Sequence, residues 1–104
     1  MDDLDKILND IINEIRRQYP YLKSQFGVVK IGIFGSFAKY TATENSDLDL
    51  VVKLNKPLGF KFVLLVEYLE NVFARKVAVL THEGIKNIRL KNVSAKIEQA
   101  IIYV

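Results

Sequence analysis

The sequence predicts a small mixed α/β domain: one sheet, with helices packed on one of its faces. Three observations predict it. Helical and strand-like patterns alternate along the 104 residues. The strand-like runs are short and rich in β-branched residues. The long helical segments carry an apolar stripe rather than apolar residues all round, which suits a helix lying on a sheet. A chain of this length fits one domain, residues 1–104.

Residues 2–18 read as the first helix. Leu4, Ile7, Leu8, Ile11, Ile12, Ile15 and Tyr19 recur at helical spacing. Asp2 and Asp3 stand at its start and Arg16 and Arg17 at its end, the polarity that the helix dipole favours. Pro20 is expected to stop it. Residues 28–34 form a strand with Val29, Ile31 and Ile33 on one face. Lys30, Gly32 and Phe34 take the other, and Gly32 leaves room for a close approach. A short helix is expected over 36–40, a polar loop over 41–46, and a second strand over 47–54, with Leu48, Leu50 and Val52 toward the core.

A second long helix is expected over 60–73, with Phe60, Val63, Leu64, Tyr68, Val72 and Phe73 as its buried positions. Residues 76–80 form a third strand with Val77 and Val79 inward. Thr81 can cap a short helix, and Asn92 a last one in which Val93, Ile97, Ala100 and Ile101 make a stripe. That helix would run to Ile101-Ile102-Tyr103-Val104, whose apolar residues need a cover: another chain, or tight packing under the sheet.

Composition narrows the function classes. Half of the residues are apolar, which argues for a folded chain. No apolar run approaches the ~18 residues of a membrane span. The acidic start, Met1-Asp2-Asp3, is not a secretory leader. There is no cysteine, which excludes disulfides and thiolate metal sites. Cytoplasm is the expected compartment. A net charge of +3 is too mild to argue for nucleic acid. Lys86, Arg89, Lys91 and Lys96 could form a basic nucleic-acid-binding tail, but their scatter fits a solvated face better. His82 is the one histidine, and its place beside a cap is the simpler reading. Tyr19, Tyr21, Phe60 and Phe62 fit core or interface aromatics. Phe34 or Phe37 could border a base pocket or pack in the core.

The chemistry concentrates in residues 34–52. Asp47-Leu48-Asp49 opens the second strand, so both carboxylates project to one face. Side by side they repel, and a divalent cation relieves that repulsion. Gly35-Ser36 supplies the complement, a turn whose backbone N–H groups suit phosphate. Lys39 or Lys53 could add positive charge for a triphosphate. An isolated Asp-x-Asp or Gly-Ser is common in surface turns. The two together, on successive strand ends with a polar loop between, point to a metal-and-phosphate site.

Gly35-Ser36, the ten residues that follow, and Asp47-Leu48-Asp49 resemble the signature of the polymerase-beta-like nucleotidyltransferases. The longer string GSFAKYTATENSDLDLVV, with the closing residues 93–104, is similar to the minimal nucleotidyltransferase (MNT-type) family. The likeness covers most of the chain. It implies the nucleotidyltransferase fold, with Mg²⁺ (or Mn²⁺) and ATP used to transfer a nucleotidyl group. Asp47 and Asp49 would be the catalytic metal ligands, and Gly35, Ser36 and Lys39 would hold the nucleotide. It also implies a helical HEPN-type partner, a toxin ribonuclease that an antitoxin of this family can silence by adenylylating a tyrosine. Homo-oligomers also fit, and nucleic acid would enter only through the partner.

One departure stands out. The family pattern carries a third aspartate on the later strand, in a run like Lys-Val-Asp-Leu-Val-Thr. Here the run is Lys76-Val77-Ala78-Val79-Leu80-Thr81, and the strand reading independently puts Ala78 on the side of Asp47 and Asp49. Alanine neither binds metal nor accepts a proton. Glu44, Glu83 or a partner's carboxylate would have to substitute. Otherwise the protein is a catalytically impaired member that binds nucleotide or neutralises a partner.

Overall fold

The computed structural model describes residues 3–38, 42, 46–86 and 101–104. Helix α1 (Asp3–Phe26) leads into strand β1 (Val28–Phe34). Strand β2 (Leu48–Leu54), helix α2 (Lys61–Phe73) and strand β3 (Val77–Thr81) follow. Helix α3 (His82–Lys86) and strand β4 (Ile102–Tyr103) complete the order. The strands form one sheet in the order β3-β2-β1-β4. β1 pairs antiparallel with β2 and with β4, whereas β2 and β3 are parallel. A parallel pair needs a crossover, and α2 supplies it. The fold is therefore the expected mixed sheet with helices on one face.

Pairing sorts the strand residues by face. Ile31 faces Val52, Ile33 faces Leu50, and Leu48 faces Val77. All six are buried, under Leu8, Ile11, Ile15, Leu22 and Phe26 of α1 and Leu65 and Leu69 of α2. Each such side chain contributes on the order of 1.5–3 kcal/mol when fully buried. The opposite face carries Gly32 beside Val51, then Phe34, Asp49 and Ala78 in a row. A Cβ at Gly32 would lie 2.6 Å from Ile101 and 3.1 Å from Tyr103, so the close approach expected there is made by the chain's own last residues.

Five expectations need correction. Helix α1 does not stop before Pro20 but runs through it to Phe26. An interior proline costs roughly 3 kcal/mol. Leu22 and Phe26, both buried, continue the apolar stripe and offset that cost. Gly27, at φ +68°, ends the helix instead, its N–H donating to the Lys23 carbonyl at 3.1 Å.

In β1 a bulge between Val28 and Lys30 breaks the alternation. Val28 is buried, Val29 is exposed, and the Val29 carbonyl accepts from Tyr19 Oη at 2.7 Å. Residues 35–38 form a turn rather than the start of a helix.

Helix α2 buries Leu65 and Leu69 instead of Phe60, Val63 and Leu64, which are exposed; Phe60 is 97% exposed. Tyr68, Val72 and Phe73 are half-buried. Apolar residues occur on every side of this helix, so periodicity could not choose the inward one. Ile102–Tyr103 is a strand, not a helix end. It takes the cover from its own sheet, with the Val104 N–H donating to the Ile31 carbonyl at 3.0 Å. Asn92, Val93, Ile97 and Ala100 lie outside the described residues. Thr81 caps α3 as expected, its Oγ1 accepting from the Gly84 N–H at 2.9 Å.

Candidate functional site

The site begins where β1 ends. Phe34 pairs with Asp49 across the hairpin, and the next residue, Gly35, turns the chain at φ +74°. A Cβ at Gly35 would overlap Asp49 Oδ2 and sit 3.0 Å from its Cγ. Two constraints therefore select glycine: the left-handed backbone and the carboxylate packed against it. Phe37, two residues on, is buried and anchors the turn in the core. Ser36 is half-buried beside Gly35.

Asp47 stands one residue before β2 and is exposed, whereas Asp49 lies within β2 and is half-buried. Burial pushes the Asp49 carboxyl above its ordinary value, and the neighbouring charge of Asp47 pushes it the same way. The pair thus holds negative charge against repulsion, the state that a bound cation or a proton relieves.

Across the parallel β2–β3 ladder, Ala78 is the partner of Asp49, exposed and on the same face. Where a third carboxylate would complete the set there is a methyl group. Among the described residues no group of three or more His, Cys, Asp or Glu side chains could hold a metal ion. Asp47 and Asp49 still fit one magnesium ion, which commonly takes one or two carboxylates and completes its shell with water and substrate phosphates.

The other residues named from sequence fall differently. Lys39, Glu44 and the rest of 39–41 and 43–45 lie outside the described residues. Lys53 is exposed four positions along β2 from Asp49, roughly 13 Å at strand rise, paired with Lys30. Glu83 follows the far end of β3, so it does not replace Ala78. Phe37 packs in the core.

Sequence reasoning missed Arg75. It follows Ala74, whose left-handed backbone (φ 51°) ends α2. Its Nη1 donates to the Ser46 carbonyl at 3.4 Å, and its guanidinium lies 5.1 Å from the centre of the Phe37 ring. The Arg75-Lys76 pair just before an apolar strand was the only signal available. His82, given the simpler cap reading, has its Nδ1 buried with no hydrogen-bond partner among the described residues. It lines a cavity of about 560 Å³ with Leu54, Leu58 and Phe62, at the sheet end away from Asp49.

Comparison with known proteins follows this geometry. The family model described as "Nucleotidyltransferase domain" matches residues 12–104. A candidate protein adenylyltransferase of Methanocaldococcus jannaschii is 35% identical over 102 residues, covering 95% of this chain and 99% of the relative. The protein adenylyltransferase MntA of Thermococcus cleftensis is 32% identical over 84 residues, 80% of this chain and 81% of the relative. Among solved structures, a candidate minimal nucleotidyltransferase superposes with a TM-score of 0.68 at 22% identity, over 89% of this chain and 92% of that one. A mutant of the toxin–antitoxin complex MntA–HpeT gives 0.61 at 18% identity, over 92% and 70%. These two superpositions show a shared fold.

Proposed function

The chain belongs to the nucleotidyltransferase domain family, and on that premise we propose that it transfers a nucleotidyl group, AMP, from ATP to a hydroxyl acceptor. One observation carries the proposal: the Gly35 turn is packed directly against the carboxylate of Asp49, with Asp47 close enough to raise that carboxyl further. A phosphate-binding turn and a cation-binding pair then address one substrate.

In the proposed reaction the acceptor oxygen forms a bond to the α-phosphorus. The bond from that phosphorus to the bridging oxygen breaks, and pyrophosphate leaves. The acceptor's proton is released, so the products are the adenylylated acceptor, pyrophosphate and a proton. Asp47 and Asp49 would hold the magnesium (or manganese) ion. That ion supplies charge withdrawal from the triphosphate and orients it for in-line displacement. Gly35 and Ser36 would take the phosphate oxygens through the backbone N–H groups of their turn. Lys39 would add charge from the loop.

No carboxylate stands at position 78 to accept the proton. Loss of a general base commonly lowers a rate by 10²–10⁴-fold. The exposed Ala78 beside Asp49 therefore supports a second reading, that the isolated protein is a slow enzyme or a nucleotide-binding partner protein. The acceptor that fits the family resemblance is a tyrosine of a helical HEPN-type toxin, with this chain as the cytoplasmic antitoxin. The names of relatives support it: one is a protein adenylyltransferase, and two superposed structures are toxin–antitoxin assemblies, one of them with AMP-PNP. Among the described residues no helix is long and apolar enough to cross a membrane.

The test is calorimetric titration of ATP with Mg²⁺ or Mn²⁺ into the wild type and into Asp47→Asn/Asp49→Asn, followed by label transfer with the partner present. Saturable, metal-dependent binding lost in the double variant is expected. Binding that survives the variant, or needs no metal, would overturn the assignment of the carboxylates.

A further inference from the structure

Two chain segments build the site, and they are separate in sequence. The Gly35–Ser36 turn continues into Phe37, and the carboxylate pair begins just after Ser46. Arg75 touches both. Its guanidinium lies over Phe37, with 5.1 Å from Cζ to the ring centre, and its Nη1 donates to the Ser46 carbonyl at 3.4 Å. The next residue extends the hold, since the Lys76 carbonyl accepts from the Leu48 N–H at 3.0 Å.

We infer that Arg75 is a positioning residue that fixes the spacing between the Gly35–Ser36 turn and the Asp47/Asp49 pair. Its side chain acts as a strut between the two segments rather than as a contact to substrate. Two observations support this role. Phe37 is buried, so the ring under the guanidinium is a fixed surface. Arg75 itself is half-buried, so its charge is partly shielded from water.

Arginine suits the place better than lysine. A planar guanidinium can lie flat on a ring while donating in its own plane. An ammonium is a compact point charge and serves one of these contacts at a time.

The consequence for nucleotide binding rests on the reading under Proposed function, whereas the consequence for the turn does not. The experiment therefore measures both in the full chain. Amide hydrogen exchange is followed by NMR in nucleotide-free wild type, Arg75→Met, Arg75→Lys and Arg16→Met, the last at an exposed cation of α1. The same proteins are then titrated with ATP and Mg²⁺. Arg75→Met keeps an apolar stem and loses charge, stacking plane and donor.

Exchange at Ser36, Phe37 and Ala38 is expected to quicken about 10-fold in Arg75→Met, with Val52 and Leu69 unchanged. Arg75→Lys should fall between, and Arg16→Met should match wild type. Affinity for ATP with Mg²⁺ is expected to weaken about 10-fold in Arg75→Met, equivalent to about 1.4 kcal/mol. Unchanged exchange in the turn would overturn the inference, and so would an equal quickening across the whole sheet. If the wild type binds no ATP while the turn still loosens selectively, the strut stands and the nucleotide reading falls.

Discussion

β2 and β3 run side by side in the same direction, and Asp49 and Ala78 are partners across that ladder. One strand brings a half-buried acid to the sheet's second face, beside an exposed acid that precedes it. Its neighbour brings a methyl group to the same face. The backbone treats both positions alike, and the core beneath, Leu48 against Val77 and Leu50 against Val79, is unaffected by the difference. The pairing of the strands and the chemistry of the site are therefore separable. An exposed position on an intact strand can carry alanine in place of an acid without disturbing the fold.

Breaking the β2 side should give the largest effect. Asp49→Asn is expected to lower label transfer from ATP by at least about 100-fold, read by radiolabel incorporation with the partner present. Restoring the β3 side should come next. Ala78→Asp adds an acid at an exposed site, where surface substitutions usually stay within about 0.5 kcal/mol of stability. It is expected to raise transfer by about 10–100-fold. An unchanged rate would mean that the proton leaves by another route.

A smaller effect separates backbone strain from crowding. Gly35→Ala meets both a positive φ and Asp49, whereas Gly59→Ala meets a positive φ (+58°) and no atom within 4 Å. Urea unfolding should show Gly59→Ala losing about 1–2 kcal/mol and Gly35→Ala losing more. Equal losses would argue against close packing of the turn on the carboxylate.

The smallest effect is electrostatic. The folded protein binds the Asp49 proton more tightly than the unfolded chain, because its carboxyl is raised. Stability from this group is full below the ordinary carboxylate range and is lost as pH rises through the raised value. Metal-free wild type should therefore gain on Asp49→Asn as pH falls through that window, and Asp49→Asn should be the more stable protein above it. Differential scanning calorimetry with and without Mg²⁺ reads both, and the ion should narrow the gap at neutral pH.

Sequence made the site's vocabulary legible and left its supports obscure. β1, β2 and β3 could be read because β-branched runs are bounded by glycine and polar residues. Ala78 could be placed beside Asp49 because strand alternation has a period of two. The same rule failed at Val29, where one bulged residue moves the next side chain to the other face. Pro20 misled because a local penalty was weighed without Leu22 and Phe26, whose burial depends on distant strands. Helix α2 misled because Phe60, Val63 and Leu64 are as apolar as the residues it buries. Arg75 was invisible because its two contacts, Phe37 and Ser46, are distant in the chain and nothing local marks them.

The tail that seats Ile101 and Tyr103 over Gly32 has a consequence for biogenesis. β1 finds its second neighbour only in residues some 70 positions later (Gly32 with Tyr103). During synthesis the β1–β2 hairpin can emerge and pair, yet one edge of β1 stays open until residues 102–103 have emerged. An open edge of apolar strand is a template for pairing with another chain. A nascent or clipped chain ending before Ile101 is thus the form most prone to associate wrongly. The short strand β4 then works as a late latch, closing the edge once it has been made.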